Sequence, residues 1–232
     1  MSVQKMTIGA LCPEKDNGLY EFHIPAYQRG YRWTPDQVED LLRDIDVNFL
    51  TNKNDHYCLQ PLVVRNTGSG KPEFEVIDGQ QRLTTIYLIM CVLADVEYLY
   101  SLTTERTTNV IPLDNDAEPD EDGDGKVKLH KTWSQCGSDC NLFKALKDIA
   151  WAKHTDRNIS QAAYLNFFKE LFDAEKRNEK SDSIDRYYIL SALTVIGKHY
   201  YEEDAKKNNW FVRNDTRASD VISHIKNCFY FL

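Results

Sequence analysis

Residues 74–85 read FEVIDGQQRLTT. The first four suit a strand, Asp78 closes it, Gly79 follows, and the polar run Gln80-Gln81-Arg82 opens an apolar stretch. The pattern predicts a strand over 74–77, a tight turn at Gly79, where a missing Cβ permits close approach, and a helix running to about Tyr98. Leu83, Ile86, Tyr87, Met90 and Ala94 fall on one side of that helix and are expected to form its core face. A helix N-terminus carries unpaired N–H groups and a partial positive charge, which suit a phosphate. An arginine there is misplaced by about 0.3–1 kcal/mol unless an anion lies nearby. Gln80 and Gln81 add polar groups where a purely structural helix needs none. The plainer alternative is a local ion pair between Asp78 and Arg82 that closes the turn.

Some fifty residues upstream lies a second unusual stretch, residues 24–33, IPAYQRGYRW. It follows a predicted strand. If extended, Tyr27, Arg29, Tyr31 and Trp33 share one face, with Gln28 and Arg32 on the other. Two arginines among large aromatic rings suit a planar, anionic ligand, because guanidinium forks onto phosphate and rings stack on bases. The alternative is an aromatic cluster with arginines reaching past it to solvent.

Between the two stretches, Thr34-Pro35-Asp36-Gln37 has the marks of a helix start: a capping hydroxyl, proline at the first helical position and a capping-box glutamine. Val38, Leu41, Leu42, Ile45 and Phe49 then fall on one helical face. Residues 57–64 (YCLQPLVV) predict one strand, and residues 66–72, rich in Gly and Ser, a hairpin turn. Farther on, 100–106 (YSLTTER) and 126–130 (KVKLH) are expected to pair as a hairpin. The runs at 141–151, 162–176 and 183–203 predict helices, and NCFYFL at 227–232 resembles a strand. That apolar end, with no polar tail behind it, predicts a longer parent protein. The fold class expected is α+β, in three parts. Residues 1–100 form a nucleotide-binding core, 101–131 a hairpin with an acidic loop, and 132–232 a helical region packed on the core and continuing beyond it.

Bulk properties narrow the function. The 232 residues are 42% hydrophobic, enough for a sizeable core. No apolar run is long enough to span a membrane, and the N-terminus lacks a signal peptide's apolar centre, so the expected location is cytoplasmic. Six cysteines are scattered without a CxxC, which argues for reduced thiols rather than zinc. The formal charge is −8, and the seven acids of residues 111–125 account for all but one unit of it. The remainder is nearly neutral, so a broad basic surface for DNA is absent. Asp120, Asp122, Asp124 and Gly125 imitate half of a calcium loop, but its twelfth position is Lys131, so a solvated loop is expected instead.

The two stretches together, IPAYQRGYRW and FEVIDGQQRLTTIYLI, resemble the N-terminal domain of GmrSD-type restriction proteins, within the wider ParB/sulfiredoxin-like superfamily. The helix TPDQVEDLLRDI, the strand YCLQPLVV and SIDRYYILSALTVIGKHY extend the resemblance, which weakens between about residues 100 and 140. Where the family often has glycine in the third strand, this chain has Gln60. The resemblance implies a small mixed sheet with helices, followed by a mainly helical region. It implies nucleoside triphosphate hydrolysis with Mg²⁺, coupled to cleavage of modified or foreign DNA in antiphage defence. The nuclease, of HNH type, is implied to lie in a C-terminal domain or partner subunit, and oligomers are compatible with this arrangement. The DGQQR box tied to hydrolysis is Asp78, Gly79, Gln80, Gln81 and Arg82.

The resulting expectations name Asp78, Gln80, Gln81 and Arg82 as catalytic, and Asp78 as the metal ligand. Tyr27, Gln28, Arg29, Arg32, Gly79 and Arg82 are expected to bind the nucleotide. Two other functions stay open: a non-enzymatic sensor of modified DNA, and a phosphotransferase on the same fold.

Overall fold

A computed structural model describes residues 3–12, 20–51, 56–104, 184–204, 209–212 and 218–232, with Phe143, Leu146, Lys147 and Ala150. The expected hairpin partner at 126–130, the acidic loop and the expected helix at 162–176 lie outside the described residues.

The chain begins with a short strand β1 (Met6–Thr7) and one turn of helix α1 (Ile8–Leu11). Strand β2 (Glu21–Ile24) buries Phe22 and Ile24 on alternate positions, the period-two pattern of a strand with one core face. Helix α2 (Pro35–Thr51) starts where the capping box predicts. The Gln37 side chain accepts from the Thr34 backbone N–H at 3.0 Å. Val38, Leu41, Leu42 and Ile45 are buried, as their spacing requires.

The single strand expected over 57–64 is two strands in two sheets. β3 (Tyr57–Cys58) and β4 (Val63–Asn66) are separated by a break at Gln60, whose φ is +76°. Left-handed backbone ends a strand, and here it re-aims the chain from one sheet to the other. The β4–β5 hairpin forms as expected, with β5 running Glu73–Asp78.

Helix α3 (Gln80–Val92) is shorter than expected. Its last carbonyls are met by turn bonds, including Asp95 N–H to Met90 O at 3.0 Å, and Ala94 takes φ +59°. Nor does it have one core face. Every residue from Gln80 to Val92 is buried except Arg82, which is half-buried. The helix is therefore enclosed by its neighbours, and Arg82 is its one outlet toward solvent.

Strand β6 (Ser101–Thr104) lies beside β2 and parallel to it. The resulting four-stranded sheet has the order β4-β5-β2-β6, with β2 parallel to both neighbours and β4 antiparallel to β5. Phe22 is its aromatic centre, 5.9 Å from Phe74 and edge-on to Tyr100 at 5.5 Å.

Helix α4 (Ile184–Tyr200) packs on α2 and α3. It ends three residues before the expected limit, because Tyr201–Asp204 (β7) pairs antiparallel with Asn209–Val212 (β8). Helix α5 (Ala218–Cys228) leads into β9 (Phe229–Phe231). β9 is the middle strand of a second sheet, antiparallel to β1 and parallel to β3. The last residues thus complete a sheet begun in the first sixty.

Candidate phosphate site

The sheet topology brings the two unusual stretches together. β2 and β5 are adjacent and parallel, paired Phe22 with Phe74, so the segments leaving them emerge at the same edge. The carboxyl ends of parallel strands are where open α/β sheets place ligands. From β2 comes the Pro25–Thr34 loop, and from β5 come Gly79 and the first turn of α3.

Close approach is built in at Gly79. Its φ is +91°, and an added Cβ would lie 2.9 Å from the Pro61 carbonyl oxygen and 3.0 Å from Leu62 Cδ1. Among the described residues, no side chain caps the helix that Gly79 opens. Asp78 is exposed, and its Oδ1 accepts from the Gly79 N–H at 2.8 Å. Asp78 does not close the turn on Arg82. Among the described residues, neither Arg82 nor Arg29 has a carboxylate partner. The Arg82 guanidinium instead lies 5.5 Å from the centre of the Trp33 ring. Tyr57 stands nearby with its hydroxyl donated to Asp44. Burial first, and then Asp44, push the Tyr57 hydroxyl up to about 12, while the positive charge of Arg82 pulls it down.

The loop from β2 is laced onto β5 and α3. Gln28 Nε2 donates to the Ile77 carbonyl at 2.8 Å. Gln81 holds the loop with both ends of its carboxamide: Oε1 accepts from the Arg32 N–H at 2.8 Å, and Nε2 donates to the Gly30 carbonyl at 2.9 Å. Gln80 Nε2 reaches the Arg29 carbonyl at 3.4 Å. Tyr31 is buried, with its hydroxyl 2.9 Å from Thr85 Oγ1.

The segment is not extended, so the expected common face of Tyr27, Arg29, Tyr31 and Trp33 does not exist. A turn, closed by Gln28 N–H to Pro25 O at 3.0 Å, sends Tyr27 to solvent at 66% exposure, while Tyr31 is 5% exposed. The Tyr27 hydroxyl donates to Glu75, which also pairs with Arg65. These bonds, Tyr27's first, hold the Glu75 carboxyl below its usual range. The Tyr27 ring is left open to a planar ligand, and Arg29 is exposed beside it in sequence.

Arg32 is engaged elsewhere. Its Nη1 donates to the Tyr31 carbonyl at 2.7 Å and forms an ion pair with Asp185 in the first turn of α4. Asp185 is only 5% exposed, and a Cβ on Gly30 would fall on its carboxylate. A cavity of about 20 Å³, room for one water, lies where Gly30, Gln80, Gln81, Thr84 and Asp185 meet. The sequence does not single out Asp185, because an acid in the first turn of a helix is explained by the helix dipole alone.

Among the described residues, the free cysteines Cys12, Cys58, Cys91 and Cys228 do not line the cavity at Gly30. Burial pushes the Cys12 thiol up to about 11 and raises that of Cys91 further, so both stay protonated and inert. Among the described residues, no helix is long and apolar enough to cross a membrane.

The family model described as "GmrSD restriction endonuclease, N-terminal domain" matches residues 8–223. No curated protein matches the chain.

Proposed function

This chain belongs to the GmrSD restriction endonuclease N-terminal domain family, and from that premise we propose that it binds and hydrolyses a nucleoside triphosphate, coupling hydrolysis to DNA cleavage by a separate nuclease. The observation that carries the proposal is the junction itself. An uncapped helix start, two arginines without carboxylate partners among the described residues, and an open tyrosine ring stand at one edge of the sheet.

The roles follow from the contacts. Arg82 and the first-turn backbone of α3 hold the phosphates, and Arg29 offsets charge developing on them. The Tyr27 ring, steadied through Glu75, stacks on the base. Gln81 is committed to the loop backbone and acts as its anchor, which leaves Gln80, with only one long bond, to orient the attacking water. Asp78 fits Mg²⁺ as one hard oxygen ligand, since that ion is usually bound by one or two carboxylates with substrate phosphates and water. When bound, it neutralises phosphate charge. Asp78 otherwise positions the water.

The runner-up, a non-enzymatic sensor of modified DNA, is favoured by one observation: both ends of the Gln81 carboxamide are already bonded to the loop backbone. In it, Arg29, Arg82 and Tyr27 meet a DNA backbone and base instead. Phosphate release by the full chain, alone and together with a separate nuclease, with Mg²⁺ and each common triphosphate, with and without DNA, separates the two. Turnover lost in Arg82→Ala supports hydrolysis. Tight DNA binding with no turnover of any triphosphate supports the sensor.

A further inference from the structure

We infer that Asp185 is a positioning residue of the phosphate site: its buried carboxylate fixes Arg32 and the Gly30 backbone, and so sets the shape of the loop that presents Arg29 to the start of α3. The inference rests on the phosphate-site proposal above.

The loop between Gly30 and Arg32 is held from two directions. Gln81 of α3 takes its backbone, through the Gly30 carbonyl and the Arg32 N–H. Asp185 of α4 takes the Arg32 side chain and lies directly against the Gly30 Cα. Tyr188, one turn along α4, adds its ring 5.7 Å from the Arg32 guanidinium. A carboxylate this buried is tolerated only with its counter-charge in place, so Asp185 and Arg32 hold each other. The pairing also explains how an acid can stand behind a phosphate site without repelling the ligand, since Arg32 neutralises it. Arg32 therefore acts by orienting the loop, and Arg29 and Arg82 meet the anion. The close fit at Gly30 makes the arrangement specific, because any side chain there would displace the carboxylate.

The test uses the full chain with Asp185→Asn, Arg32→Lys and the double variant. Hydrogen exchange of the Arg32 amide and turnover of Mg²⁺-ATP and Mg²⁺-GTP are measured on each. Asp185→Asn is expected to speed exchange of that amide at least about tenfold and to lower kcat/KM, per folded molecule, by up to about a hundredfold. The inference has both residues act on the loop through the contact they share, so the double variant should be no worse than the poorer single one. Unchanged exchange at the Arg32 amide, or losses that multiply in the double variant, overturns the inference. Should Asp185→Asn fail to fold, Arg32→Lys carries the test. It keeps a charge opposite Asp185 but loses the fork, and unchanged exchange there is equally fatal. A wild-type protein with no turnover defeats the hydrolysis proposal alone, and the exchange result still decides the role of Asp185.

Discussion

Replacing Arg82 by alanine should separate binding from stability. In the free protein three terms bear on this side chain. Its charge opposes the α3 dipole, an unfavourable term of about 0.3–1 kcal/mol. Its contact with Trp33, 5.5 Å from the ring centre, returns about 0.5–1 kcal/mol. It has no ion pair among the described residues, so no buried partner is orphaned by its removal. The terms nearly cancel, and Arg82→Ala should change folding stability by less than about 1 kcal/mol. In the complex the same guanidinium faces phosphate. Losing one such contact in a partly desolvated site costs about 2.7–4 kcal/mol of barrier, roughly a hundredfold to a thousandfold in rate. Urea denaturation and phosphate release, measured on the same variant, give both numbers. A variant destabilised by more than about 2 kcal/mol, with normal turnover per folded molecule, would refute the assignment and make Arg82 a structural residue.

Gln81→Ala should be costly to the fold, because it strands the Gly30 carbonyl and the Arg32 N–H at once; about 2–6 kcal/mol is expected by urea denaturation, from about 1–3 kcal/mol per unsatisfied group. Gln60→Gly should stabilise by about 1 kcal/mol, since Gln60 is exposed at φ +76° and holds a conformation costing a side chain about 1–2 kcal/mol; unchanged or lower stability would contradict that. His224, buried beside Asn48 Oδ1 at 2.8 Å, has its pKa lowered from 6.5 by desolvation. The unfolded chain then binds the extra proton more readily, so this contribution is complete above pH 6.5 and falls away as the solution is acidified below it. His224→Gln should flatten the stability profile between about pH 7 and 5.

What the sequence revealed was local. The α2 start was legible because its signals lie within four residues and each has one physical use. The β4–β5 hairpin was legible because Gly68 and Gly70, both at φ +79°, mark its turn. The break at Gln60 was hidden: a glutamine before a proline gives no hint of positive φ. The end of α3 was overrun for the same reason, since Ala94 occupies a left-handed position usually marked by glycine or asparagine. The parallel pairing of β2 with β6, eighty residues apart in the register His23 with Thr103, has no local signature.

At the site, residue types were legible and their division of labour was not. Arginines, glutamines and a glycine at a strand-to-helix junction point to an anion whatever the tertiary structure. That Gln81 would use both amide atoms on the opposite loop depends on β2 and β5 being neighbours. The ion pair between Arg32 and Asp185 spans 153 positions, and only the packed structure shows it.

If residues 27–32 and 79–82 form one site, backbone amide shifts report it directly. Isotopically labelled protein is titrated with Mg²⁺ and a non-hydrolysable triphosphate. With one shared site, the amides of residues 27–32 and 79–82 shift most, and both sets saturate with a single dissociation constant. Shifts confined to one segment, two different constants, or a response elsewhere with both segments silent would contradict it.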